Sequence, residues 1–280
     1  MLRYQRLGYE DMKDMRAGWK NIQDRIPEMG KLCPNITNGL QTDIVYCYDI
    51  LRYEHLQTNH PFENIRIYAE KGVELGKEYF YGKWRDSYQK FLDTPGLTRF
   101  SREECRRVTP WIVPLTYSIL LSLLLNDTKS TLSFAEYIGD NLYSDVCDYY
   151  GASILPQYVA YWNVLGYGIK NNTLIGCEEQ KSIIENSSRR IYKMLLTCLE
   201  SLFSRNVDLF QTTFRKYMEL FNKQVTDPKN KRSKWSYFYM SLDGSILWNY
   251  ANSILNANMP EFSEEIMDRI LTASSCGLQK

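Results

Sequence analysis

Histidine, the commonest general base near neutral pH, occurs only twice in the 280 residues, as His55 and His60 in the stretch Glu54-His55-Leu56-Gln57-Thr58-Asn59-His60-Pro61. A helical zinc site asks for two histidines four residues apart and a third ligand nearby. Here the spacing is five, across an expected helix end. That argues against a metal site, and the same scarcity weakens any Ser/His/Asp or Cys/His nucleophile scheme. The seven cysteines, Cys33, Cys47, Cys105, Cys147, Cys177, Cys198 and Cys276, are odd in number and scattered, with no CxxC and no Cys/His pair at ligand spacing. They read as reduced thiols of a cytoplasmic protein, and no cofactor is expected.

The remaining motifs point to partners more than to reactions. Asn126-Asp127-Thr128-Lys129-Ser130 loosely follows the magnesium motif of helical terpene synthases, but Phe134 stands where that motif needs its acid. A helix end followed by a capped helix start explains the same residues. No Gly-x-x-x-x-Gly-Lys-Ser/Thr loop is present. Lys229, Lys231, Arg232 and Lys234 precede Trp235, Tyr237, Phe238 and Tyr239, a pattern that in a basic protein would suggest single-stranded nucleic acid. In this nearly neutral chain it reads as a solvated loop leading into a core helix. The stretch Glu136 to Tyr150 is more informative. At helical spacing Ile138, Leu142 and Val146 turn inward, while Asp140, Tyr143, Asp145, Asp148 and Tyr149 occupy neighbouring outer rows. Acid and tyrosine displayed together suit a basic partner; an ordinary wet helix face gives the same pattern.

Helices must position all of these residues. Apolar positions recur at steps of three or four between breaks at Pro, Gly and Asn, and alternating strand patterns are largely missing. The spacing predicts helices over Glu10 to Arg25, Ile36 to Thr58, Phe62 to Leu92 (one long helix or a gently broken pair), and Ser101 to Leu125, where Ser101 and Glu104 form a capping box. Further helices are predicted over Thr131 to Tyr149, Leu155 to Lys170, Glu178 to Ser204, Val207 to Val225, Ser241 to Asn256 and Ser263 to Thr272. On the second of these, Leu40, Ile44, Cys47, Leu51 and His55 share a stripe. Trp111 to Leu125 is the most hydrophobic run, with Pro110 and Pro114 expected to kink its first turns. A membrane span needs about 20 apolar residues. This run is shorter and is flanked by Arg106, Arg107 and Asp127, so it reads as a core helix buried on most sides. The expected fold is all-α: nine to eleven helices in antiparallel pairs around one core, forming an irregular bundle or helical-pair stack. Residues 1–280 make a single domain, with 1–95 as a candidate N-terminal subdomain.

Composition sets the outer limits. The chain carries 34 basic and 33 acidic side chains, a formal charge of +1, so no overall field draws it to nucleic acid or an anionic membrane. The first ten residues lack an apolar stretch of signal-peptide length, and secretion is not expected. The 22 tyrosines are a surplus, and tyrosine places a flat apolar body and a polar tip at grooves and interfaces.

Leu202-Phe203, Phe214-Arg215, the run Ser241-Leu242-Asp243-Gly244-Ser245-Ile246-Leu247, Ala251 and Met259-Pro260-Glu261 form an ordered set in the C-terminal part of the chain. Together with Trp111 and Leu123-Leu124-Leu125-Asn126-Asp127 it resembles the bacterial immunity proteins that neutralise polymorphic toxins, and the helical family numbered forty-nine in particular. The likeness lies between Trp111 and Glu261. It implies an all-helical cytoplasmic inhibitor that binds a cognate toxin and has no catalysis of its own. Two alternatives stay open: a helical-repeat interaction scaffold, and a helical enzyme or small-ligand protein with Glu103, Glu104, Asp127 or Asp243 as its acids. A deep pocket with convergent carboxylates would favour the enzyme or ligand protein, and a broad acidic and aromatic groove the inhibitor. On the binding reading, charge reversal at Asp145 and Asp148 weakens partner affinity by about 1 to 3 kcal/mol without unfolding the chain. Titration calorimetry checks this, and unchanged affinity removes that face from the interface.

Overall fold

The computed structural model describes residues 39–56, 63–82, 112–138, 156–227, 240–255 and 261–278. All regular structure among them is α-helical. The helices are α1 (Gly39–Leu56), α2 (Ile65–Tyr81), α3 (Ile112–Leu124), α4 (128–138), α5 (Pro156–Asn171), α6 (Glu178–Glu185), α7 (Arg190–Phe203), α8 (Val207–Thr226), α9 (Leu242–Leu255) and the single turn α10 (Glu264–Met267). The predicted helix over Glu10 to Arg25, the Ser101–Glu104 capping box and Pro110 lie outside the described residues.

Helix α3 is apolar around most of its circumference, and such a helix is stable in water only when covered on several sides. Helices α1, α2 and α9 supply that cover. Its polar residues Thr116, Ser118 and Ser122 are buried as well. Two of them hydrogen-bond within the helix: Ser118 Oγ donates to the Pro114 carbonyl at 2.8 Å and Ser122 Oγ to the Ile119 carbonyl at 2.8 Å. This bonding avoids the penalty of a buried unpaired hydroxyl. No helix among the described residues is long and apolar enough to cross a membrane.

Close approach to α3 depends on two glycines one turn apart on α2. A methyl group at Gly72 would meet Leu121 Cδ1 of α3 and lie 2.9 Å from Cys47 Cβ of α1; one at Gly76 would meet Ser118 Oγ and lie 3.0 Å from Phe134 Cζ of α4. The stripe Leu40, Ile44, Cys47, Leu51 and His55 on α1 is buried as its spacing predicts. In the other half of the molecule α5 is buried from Val159 through Gly166 and packs on α6 and α7, while α7 packs on α8. One continuous set of buried side chains runs from Leu40 to Leu278.

Three predicted elements differ from those observed. The helix predicted over Phe62 to Leu92 ends at Tyr81, where Gly82 is extended and its amide donates to the Glu78 carbonyl. The helix predicted over Glu178 to Ser204 is broken at residues 186–189. There Ser187 is buried, its amide reaches the Ile184 carbonyl at 3.0 Å, and its Oγ accepts from the Arg189 amide at 3.1 Å. A serine that binds local backbone in this way competes with helix continuation. The helix predicted over Ser263 to Thr272 stops at Met267 because the following backbone groups bond to other elements. His55 Nε2 contacts the Asp268 carbonyl at 2.8 Å, the Ser241 amide donates to the Arg269 carbonyl at 2.8 Å, and the Leu271 amide donates to Ser245 Oγ at 2.9 Å. Asn249 Nδ2 adds a bond to the Leu271 carbonyl at 2.7 Å. Ser241, Ser245 and Asn249 thus form an i, i+4, i+8 polar stripe that fastens the C-terminal segment to α9.

Replacing Gly72 by alanine gains up to about 1 kcal/mol of helix propensity. The added methyl meets the Cys47 Cβ, a rigid neighbour, and overpacking costs typically 1–3 kcal/mol. We therefore expect Gly72→Ala to lower the urea midpoint with an unchanged slope; an equal or higher midpoint contradicts this packing.

Candidate functional site

Of the residues that sequence reasoning singles out, Asp140, Tyr143, Asp145, Asp148 and Tyr149 lie outside the described residues, as do His60, Glu103 and Glu104. Three others are placed. His55 is fully buried between α1 and the C-terminal segment, with Nδ1 2.7 Å from Ser275 Oγ and Nε2 2.8 Å from the Asp268 carbonyl. Both ring nitrogens are occupied in holding the segment. Among the described residues, no group of three or more His, Cys, Asp or Glu side chains is arranged to hold a metal ion.

Asp127 caps α4. Its Oδ1 accepts from the Ser130 amide at 3.0 Å, its Oδ2 accepts from the Ser130 hydroxyl, and Lys77 Nζ lies 3.8 Å from Oδ2. Slight burial works to raise its pKa, but the Ser130 bonds and the lysine outweigh it and hold the carboxyl below its ordinary range. The turn is therefore a cap of the expected kind, with the aspartate rather than a Ser or Thr as acceptor. Beside it opens a pocket of about 240 Å³. Its apolar wall includes Leu123, Leu132, Ile169 and Tyr250; Asn126, Asn172 and Ser253 are among its polar lining. Leu132 stands 43% exposed. The volume falls below the roughly 300–1,000 Å³ of sites that enclose a drug-sized ligand and matches a single large side chain.

Asp243, the last of the candidate acids, is not in that pocket. It sits at the second position of α9, about 15 Å of helix away from Ser253 at 1.5 Å per residue. The helix start itself is capped by Ser241, whose Oγ accepts from the Gly244 amide at 3.0 Å and pairs with the Tyr217 hydroxyl at 2.9 Å. An aspartate here ordinarily stays ionised because the helix dipole favours it. Burial overrides that preference and pushes the Asp243 carboxyl up to about 7. The residue keeps some accessible surface, but its Oδ1 is sealed with no hydrogen-bond partner. Around it stand Tyr158 and Tyr161 of α5 and Tyr217 of α8, whose hydroxyls are pushed well above their ordinary value by burial first and by the nearby Asp243 second. Tyr161 Oη is also sealed and unpartnered. The Trp162 indole N–H lies beside the Tyr158 hydroxyl but falls short of full hydrogen-bond geometry. Sequence reasoning named Asp243 without this aromatic surround. Tyr158 and Tyr161, three apart on one helix, and the tyrosine surplus are the signals that point toward it.

The described cysteines, Cys47, Cys177, Cys198 and Cys276, are buried, and none of them is in a disulfide. Burial drives Cys47 up to about 12 and Cys177 to about 11, and raises Cys198 too, which keeps these thiols protonated and unreactive. Compared with protein families, curated proteins and solved structures, the chain finds no match.

The pH dependence follows from Asp243. The folded carboxyl titrates at about 7 against 3.8 for an ordinary aspartate. Between these values the folded chain holds a proton that the unfolded chain releases, so this group makes stability fall as pH rises from about 4 to 7 and level off above. At 1.36 kcal/mol per pKa unit the upper bound is roughly 4 kcal/mol, and partial exposure reduces it to about 1–3. Asp243→Asn should remove this slope and raise the urea midpoint at pH 8. A variant no more stable than the parent at pH 8 contradicts the burial of an unpaired carboxyl.

Proposed function

We propose that the chain is a non-catalytic immunity protein that binds and occludes a cognate bacterial toxin in the cytoplasm. The observation that carries this reading is the pocket beside Asp127. It has room for one side chain, an apolar wall with an exposed leucine at its edge and, among the described lining residues, one carboxylate, already engaged by Ser130 and Lys77. Interfaces concentrate their binding energy in such anchor pockets. A catalytic pocket would instead gather several perturbed groups around the reacting atoms. The separation of Asp127 from Asp243, the double engagement of His55 and the protonated thiols support the same reading, as does the resemblance of the segments from Trp111 to Glu261 to helical immunity proteins. The second reading, a helical protein that takes a small ligand, is favoured by the unpartnered polar atoms around Asp243.

Co-expression with the protein encoded immediately upstream tests the proposal. The chain should co-elute with that protein and relieve its toxicity in a growth assay. Leu132→Arg should place a charge at the mouth of the pocket and weaken the complex at least tenfold, about 1.4 kcal/mol, with thermal unfolding unchanged. Absence of both complex and rescue, or turnover by the purified chain alone, overturns the reading.

A further inference from the structure

We propose that the pocket beside Asp127 seats an indole ring, presented by the toxin as a tryptophan side chain. The toxin as the source of that side chain rests on the toxin-binding reading; the chemistry of the occupant rests on the pocket alone.

Size selects the occupant first. An apolar cavity of about 150 Å³ takes up benzene, roughly 25 Å³ for each ring atom. At that ratio the volume of about 240 Å³ beside Asp127 holds about nine or ten non-hydrogen atoms. Indole has nine, a phenol ring with its hydroxyl seven and a leucine side chain four. Leu123, Leu132, Ile169 and Tyr250 form an apolar wall for a ring of that size. Leu132, 43% exposed at the mouth, would be taken out of water by it.

Charge selects next. The pocket lies where three helices end: Asn126 and Asn172, left-handed at φ 57° and 53°, follow the last turns of α3 and α5, and Tyr250 and Ser253 belong to the last two turns of α9. The negative ends of these helices disfavour a carboxylate, while the positive end of α4 is already closed by Asp127. A cationic side chain gains little either. The Asp127 carboxylate accepts from the Ser130 amide and hydroxyl and lies 3.8 Å from Lys77 Nζ, and Lys129 acts on it as well. A guanidinium or ammonium group placed here would face those lysines beside a carboxylate that is already paired. The occupant that fits is neutral.

Hydrogen bonding separates the neutral rings. Ser253 Oγ donates its proton to the Tyr250 carbonyl at 2.9 Å, so what this exposed hydroxyl has left to offer is an acceptor. The indole N–H is a donor and nothing else. Phenylalanine brings no donor, and tyrosine fills less of the volume. Tryptophan is also among the residues on which interface energies concentrate when they fill a pocket.

The test is an NMR titration of the full chain with N-acetyltryptophanamide, read at the amides of Leu132 and Ser253, beside the leucine, tyrosine and arginine amides. The tryptophan amide should bind saturably and roughly tenfold tighter than the leucine and arginine amides, with the tyrosine amide between. Ser253→Ala, a change on an exposed helix position that leaves thermal unfolding unaltered, should weaken the tryptophan amide about fivefold. The same substitution should leave binding of the 1-methylindole analogue unchanged, because that ring has no N–H to donate. The proposal is overturned by the absence of a saturable shift, by equal affinity for the leucine or arginine amide, or by equal losses for the two indoles in Ser253→Ala. Binding of free indole but not of the amide identifies a small-molecule site and overturns the side-chain source. If the amide fails to bind while the co-expressed complex forms and Leu132→Arg breaks it, the indole falls and the toxin-binding reading stands. Binding of the amide with neither complex nor rescue overturns the toxin as the source of the ring.

Discussion

Burial of α3 is the constraint on which the rest of the structure depends. A helix so apolar must be covered by neighbours; α1, α2 and α9 lie against it, and α2 comes close because its facing residues Gly72 and Gly76 are small. Gly72 and Gly76 admit α1 and α3 to α2. The hydroxyls of Ser118 and Ser122, folded back onto their own helix, add little bulk and leave no orphan. Once α9 covers α3, its polar stripe Ser241, Ser245 and Asn249 faces the C-terminal segment, and that segment closes over His55 of α1. Elements far apart in the chain are thus joined by side chains that elsewhere do chemistry.

This division of labour gives the molecule its functional character. His55, Asp127 and the serines at the start of α9 have the atoms of catalytic groups, but each of them spends at least one hydrogen bond on backbone. Asp243 is the exception. Its carboxyl is held at the positive end of a helix, where it should ionise easily, yet burial among aromatic rings keeps its proton until about pH 7. A cost of that kind persists in a fold when the surrounding packing over-determines it.

Much of the helical plan was legible from periodicity because the apolar stripe of each long helix is a local pattern. The ends of α1, α5, α8 and α9 fall within a few residues of their predicted places, since Asn206 and Ser241 are local caps. The misplaced elements have causes that apolar periodicity does not carry. The break at Ser187 comes from local bonds of one serine to the backbone of Ile184 and Arg189, and the early end of α10 depends on partners more than 20 residues away, such as Ser245 and Asn249 on α9. Asp243 was recognisable in the sequence only as one of four candidate acids, with Glu103, Glu104 and Asp127. Its surround was not, because Tyr158, Tyr192 and Tyr217 come from three helices and converge only through packing.

Polar side chains weld the C-terminal segment into the same cooperative unit as α3. Native-state hydrogen exchange reads this at the amides of Ser241 and Leu271, which bond to the Arg269 carbonyl and Ser245 Oγ. Both should exchange only through global unfolding, with the same denaturant dependence as the amides of Ile119 and Leu120 in α3. Exchange of Ser241 and Leu271 by local opening, while α3 stays protected, would contradict it.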